Sequence, residues 1–226
     1  MFTIFSMVEP ALAILKKEVI QELRTKYALN TLLAFTGASL LLVLFTLRAN
    51  QLDPTPKSGL VWIIILFAAM SGMMRSFLQE TDKKTWGLLQ LHSDATNVFI
   101  GKLTFNFLFL LILHLFTFAF YMLMMDLPII SPFYLICSLL FGAAGLASVT
   151  TLTSAMIAQA DRKGALFSVL CIPLLVPLLL ILTRTTKFAL IEGPDGAALN
   201  DLFALIGFCG VTITTGILLF DFIWEE

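Results

Sequence analysis

Charge is what this 226-residue sequence has least of: Asp, Glu, Lys and Arg together make up 13% of it, against 59% apolar residues. A soluble domain of that composition would carry more apolar surface than it could hide, which excludes a water-soluble fold. Cysteine occurs three times and histidine twice. Cys137, Cys171 and Cys209 each fall inside an apolar stretch, far apart, with no Cys-x-x-Cys, zinc spacing or disulfide framework, so they read as small apolar packing residues. There is no phosphate-cradling loop, because Gly101-Lys102 is followed by Leu103 and Thr96 stands where the first glycine belongs. His-Glu-x-x-His, Gly-x-Ser-x-Gly and paired carboxylates within a span are also missing. The parts of an enzyme are absent, and the expectation is a non-catalytic protein with no metal site. No internal repeat, low-complexity tract or soluble domain interrupts the chain. The stretch 1–9 lacks a basic leader region and a small-residue cleavage site, so no cleavable signal peptide is expected. The net charge of −1 gives no indication of nucleic-acid binding.

What the chain has instead is six apolar stretches, at 29–47, 60–78, 103–125, 133–158, 165–183 and 202–224. A helix needs about 20 apolar residues to cross a bilayer core, and each stretch is long enough. The reading is an all-α integral membrane protein with one membrane domain over 1–226. Basic residues crowd into alternate connections. Lys16, Lys17, Arg24, Lys26, Arg75, Lys83, Lys84, Lys102, Arg162 and Lys163 fall on one side; Arg48, Lys57, Arg184 and Lys187 fall on the other. Lys and Arg favour the cytoplasmic face, which predicts that both termini are cytoplasmic. Asp126 and Asp221 read as markers of opposite span ends.

Residues 8–28 differ in kind. Val8, Leu12, Leu15, Val19 and Leu23 recur at spacings of three and four, while Lys16, Lys17, Glu18, Gln21, Glu22 and Arg24 fill the opposite face, and Pro10 suits a first helical turn. Such a helix lies in the membrane interface or packs on a partner protein, and the two readings are compatible. The connection 79–102 is unusually apolar for a solvated loop, with Trp86, Leu88, Leu89 and Leu91. It predicts a short helix, a break near His92–Ser93, and then the third span, capped by Ser93. His92 reads as solvated or partner-facing.

Within the spans, Ala143 with Ala147 and Ala144 with Ser148 permit close helix approach. Thr150, Thr151, Thr153 and Ser154 follow, either as helix-packing groups or as a polar lining for a moving substrate. Pro173 and Pro177 predict a bend or local unwinding of the fifth span. His114, midway along the third span, is an ionisable group in the membrane, read either as a neutral imidazole held by a Ser or Thr or as a functional residue. Arg184 and Lys187 stand at the external end of the fifth span, as interface anchors or as partners for carboxylates.

Together, the interfacial helix, the six spans and the loop Glu80…Trp86-Gly87-Leu88-Leu89-Gln90-Leu91…Gly101-Lys102 resemble the membrane subunit of type-2 ABC exporters. Gly145-Leu146, Arg162-Lys163-Gly164-Ala165-Leu166 and Leu170-Cys171-Ile172-Pro173-Leu174-Leu175-Val176-Pro177-Leu178-Leu179 are more specific. They look like CcmB, the haem exporter permease of the cytochrome c maturation system, over residues 10–224. Two positions depart from the wider pattern: His92-Ser93-Asp94 replaces a frequent proline, and Leu89 stands where an acid is common.

The resemblance implies an inner-membrane permease paired with a separate CcmA-like ATPase that binds the ATP. CcmC- and CcmD-like membrane proteins would handle haem beside it, and two copies of the permease would form a dimer in the complex. Its implied role is export of haem, or release of a haem-loaded periplasmic chaperone. In that frame Glu80, Trp86, Leu88, Leu91 and Asp94 are expected at the ATPase contact. Pro173 and Pro177 would shape the fifth span, and His114, Thr150, Ser154 and Arg184 are candidates for a substrate path. The alternative is the same permease fold with a drug, lipid or polysaccharide intermediate as cargo; a static membrane scaffold is a third reading.

Overall fold

A membrane-spanning chain must satisfy its backbone polar groups internally, and long unbroken helices do this. The computed structural model describes residues 2–46, 53–158 and 163–225, and within them nine helices and no strand. They are α1 (Phe2–Thr25), α2 (Tyr27–Thr46), α3 (Pro54–Met73), α4 (Arg75–Asp82), α5 (Trp86–His92), α6 (Ala95–Met125), α7 (Pro132–Met156), α8 (Lys163–Leu190) and α9 (Ala198–Glu225). Arg48 and Arg162 lie outside the described residues, as do the side chains of Val8, His92 and Lys163.

Five segments are long and apolar enough to cross a membrane: α3 with α4, α6, α7, α8 and α9. The number rises to six if α1 and α2, which meet at a 65° bend, are taken as one span. The bend falls at Lys26, whose φ of 50° is left-handed. On its own α2 has 20 residues, about 30 Å of helix and so about one bilayer core.

α7 is the central helix, packed against α3, α4, α6, α8 and α9. Small residues make this possible. A Cβ on Gly142 would lie 2.5 Å from the Trp62 ring of α3, and one on Gly145 would lie 2.6 Å from Leu178 of α8. Ala143 and Ala147 are fully buried, as expected from their spacing. Lipid tails provide no hydrophobic drive between helices, so close packing and interhelical hydrogen bonds carry the assembly. Asn106 of α6 donates to Thr151 of α7 at 2.7 Å, Ser148 of α7 pairs with Thr212 of α9 at 2.8 Å, and Trp62 Nε1 donates to Thr186 of α8 at 2.8 Å.

The bundle has two distinct ends. One gathers α1, α4, α5, the start of α6 and the end of α9, where Gln90 reaches the Trp224 carbonyl at 2.6 Å. At the other, Tyr121 donates to the Lys57 carbonyl at 2.6 Å, and the amides of Ile130 and Ser131 share the Ala189 carbonyl at 2.9 and 3.0 Å. The left-handed Asp126, with φ 50°, closes α6 there. The alternation of connections expected from the basic residues is therefore present in the packing.

Three local expectations are corrected. α1 starts at Phe2, so Pro10 sits inside it and removes one backbone hydrogen bond instead of opening the helix. The residue capping α6 is Asp94, one beyond Ser93: both are extended, with Ser93 ending α5, and the Asn97 side chain reaches back to Asp94 at 3.4 Å. Finally, of the bend or unwinding expected in the fifth span, unwinding is absent at Pro173 and Pro177: α8 is continuous helix from Lys163 to Leu190. Its buried stripe is Phe167, Cys171, Leu175, Leu178 and Leu182, while both prolines are exposed. The two missing hydrogen bonds fall on one outward side, and the intact inner side holds the helix.

Candidate functional site

The features concentrate at the end shared by α1, α4, α5 and α9. α5 is amphipathic over two turns. Trp86 and Leu89 turn inward, onto a cluster built by Phe77 of α4, Phe99 of α6, and Phe220 and Trp224 of α9. The rings form a chain, with Phe77 to Phe220 at 5.1 Å, Phe99 to Phe220 at 5.3 Å and Trp86 to Trp224 at 5.3 Å between centroids, the range in which tilted aromatic pairs are favourable. On the opposite face Leu88 is 59% and Leu91 80% exposed. Asp94, just beyond the break, is exposed as well.

Of the five residues expected at a partner contact, then, Leu88, Leu91 and Asp94 face outward and Trp86 faces inward. Glu80 also lies inward, in a buried ionic cluster. Lys102, near the start of α6 and 1% exposed, donates to Glu18 at 2.6 Å, the Ser76 carbonyl at 2.7 Å and Glu80 at 3.2 Å. Lys17 donates to the same Glu80 carboxylate, and the Thr85 hydroxyl holds its other oxygen. The Lys102 ammonium also stands 5.0 Å from the centre of the Phe77 ring. Two ammonium groups meet two carboxylates, so the cluster is balanced, the condition under which charges tolerate burial. It ties α1, α4 and α6 together, and Thr85, the residue that caps α5, joins it through Glu80.

The same cluster explains how α1 sits. Part of its charged face turns toward the protein, with Lys17 and Glu18 in the ionic cluster and the Gln21 amide donating to Gln79, while Lys16 and Arg24 stay exposed. Its apolar face turns out, with Leu12, Val19, Ile20 and Leu23 exposed. Such an inverted helix is stable where its outer surroundings are apolar, as at a membrane interface.

The substrate-path candidates do not converge. Thr150 is buried, and its hydroxyl donates to its own helix at the Leu146 carbonyl, 2.7 Å away. Ser154 staples the α3–α4 junction, donating to the Met74 carbonyl at 2.8 Å and accepting the Phe77 amide at 3.1 Å. His114 is fully buried between Trp62 and Gly142, with Nδ1 3.2 Å from the Leu139 carbonyl. Its partner is thus a backbone group instead of the Ser or Thr expected, and among the described residues Nε2 has no hydrogen-bond partner. Arg184, at the far end, approaches Asp201 of α9 at 3.1 Å, an ion pair without the alignment of a hydrogen bond. Lys187 pairs with Glu192 at 2.9 Å. Among the described residues no group of three His, Cys, Asp or Glu side chains is placed to hold a metal.

Sequence reasoning missed Lys102 and Glu18 as a buried pair and the Phe220–Trp224 support for α5. A usable signal existed in part: Lys102 follows a short polar cap and is then surrounded by apolar residues, an unusual place for a solvated lysine.

Comparison with known proteins bears on the whole chain. Residues 9–219 match the family described as CcmB protein. Heme exporter protein B of Pseudomonas aeruginosa is 29% identical over 135 residues, 58% of this chain and 60% of that protein's length. The family match covers nearly all of the chain, taking in α2 to α8 whole and most of α1 and α9, so this protein is a member of the CcmB family.

Proposed function

We propose that this chain is the membrane subunit of a haem exporter acting in cytochrome c maturation, driven by a separate ATPase that docks on α5. The observation that carries the coupling role is the two-sided character of α5. Leu88 and Leu91 are presented outward, while Trp86 is packed into a ring cluster shared with the end of α9. A push on α5 would therefore be felt in a long helix. The name of the Pseudomonas relative supports haem as cargo. In this reading both termini and α5 are cytoplasmic in the bacterial inner membrane, in keeping with the lysine and arginine distribution. A CcmA-like ATPase, CcmC- and CcmD-like haem-handling subunits and a second copy of the chain complete the complex. Haem export and release of a haem-loaded chaperone both fit.

Deleting the gene is expected to abolish covalent haem in c-type cytochromes while leaving b-type haem proteins intact, with rescue by a plasmid copy. Haem staining of membrane proteins checks this. Unchanged c-type cytochromes in a strain with no other maturation route would overturn the haem assignment and leave an exporter of different cargo.

Pro173→Leu combined with Pro177→Leu separates a moving permease from a static scaffold. Both side chains are exposed, so abundance in the membrane is expected to stay at the wild-type level. Haem staining is expected to fall at that abundance, because restoring two backbone donors stiffens the helix. Full staining would favour the scaffold.

A further inference from the structure

Beside the ionic cluster lies an open cleft of about 510 Å³, lined by Lys17, Ile20, Gln21, Arg24, Thr25 and Lys83. We propose that it binds the phosphate headgroup of an anionic phospholipid, whose chains lie along the exposed face of α1.

The charge arithmetic favours an anion. Lys17 and Lys102 are balanced by Glu18 and Glu80, which makes the cluster underneath neutral. Among the described residues no carboxylate lines the cleft, so Arg24 and Lys83 give it a net positive charge. Lys17 is held in place from below by Glu80 and has further N–H donors to offer.

The position favours a lipid over a soluble anion. Lys17, Ile20, Gln21 and Arg24 fall at helical spacing on one strip of α1, and Lys83 closes the other wall from the end of α4. Ile20 is 55% and Leu23 67% exposed, so the cationic wall runs directly into apolar helix surface. A headgroup in the cleft would leave its acyl chains against Ile20 and Leu23. Basic pockets at the headgroup level of membrane helices recognise anionic lipids by this combination.

The test is titration calorimetry on the detergent-solubilised full-length protein, with short-chain phosphatidylglycerol and phosphatidylcholine as probes. Wild type is expected to bind phosphatidylglycerol preferentially. Arg24→Gln with Lys83→Gln is expected to weaken that binding about 30-fold, the result of removing two surface cations facing an anionic lipid. Both side chains are exposed, and an unchanged thermal midpoint would show that the fold is retained. Lys57→Gln, at the opposite end, is expected to leave the preference intact. Three results would overturn the proposal: no preference in wild type, an equal loss with Lys57→Gln, or complete displacement of the lipid by millimolar inorganic phosphate. The last would make the cleft a free-anion site.

Discussion

Leu88→Asp combined with Leu91→Asp is expected to separate this chain from the ATPase proposed to dock on α5, while leaving the membrane fold intact. Both side chains point away from the protein, whereas α5 is held by Trp86 and Leu89 on the aromatic cluster. The substitutions thus touch the docking surface and spare its support. Burying one leucine contributes about 1.5–3 kcal/mol, so losing two and burying charge in their place should weaken assembly by at least two tenfold steps. Co-purification of the ATPase with a tagged chain reads this directly. Trp86→Ala is the comparison: it leaves Leu88 and Leu91 in place but removes the ring that fixes α5, so assembly should weaken less than turnover. An ATPase that stays bound to the double aspartate variant would remove α5 from the coupling role.

The long helices were legible because a bilayer imposes a simple requirement, about 20 apolar residues in a row, and the chain meets it visibly. The break between α5 and α6 was legible as well, since an apolar knob followed by Ser93-Asp94 and a new apolar run leaves few other arrangements. What the apolar pattern did not disclose was sidedness. In α1 the stripe of Leu12, Val19 and Leu23 marks one face, but an apolar stripe in a lipid environment can be the solvated face, and here the charged side holds the protein together. Likewise Pro173 and Pro177 announced a distortion in general terms, yet whether a helix tolerates prolines depends on which side the lost hydrogen bonds fall, and that is decided by packing.

Site residues were less legible for a related reason. Hydroxyls such as Thr150 and Ser154 look identical in sequence whether or not they bond a backbone carbonyl, and here both do. Glu80 was expected at the ATPase contact but is buried, and its surroundings depend on Lys17, Glu18 and Lys102, which no local pattern joins to it. Lys102 and Glu18 are 84 residues apart and share no local pattern. Lys102 looked like one more basic residue marking an end of the bundle, because position along the chain reveals membrane side long before it reveals burial.

That buried lysine carries the other large expected effect. In Lys102→Met, Glu18 and Glu80 would face each other with only Lys17 between them, and the Ser76 carbonyl would lose the ammonium that it accepts from besides its own helix. Removing one partner from a buried charge cluster costs about 3–5 kcal/mol, expected as a fall of at least about 6 °C in the thermal midpoint of the purified protein. The cause can be separated from loss of packing by a second change. Lys102→Met with Glu18→Gln removes one charge of each sign and leaves Lys17 with Glu80, so most of the lost stability should return. The recovery should stop short of wild type, since the charged hydrogen bond from Lys102 to the Ser76 carbonyl, of about 1.5–3 kcal/mol, is still lost. If the single variant melted like wild type, the cluster would not be the brace between α1, α4 and α6. If the double variant melted no higher than the single, charge imbalance would not be the reason for the loss. Recovery would mean that α1 is held to the bundle by electrostatic balance, with its apolar face left free for the membrane.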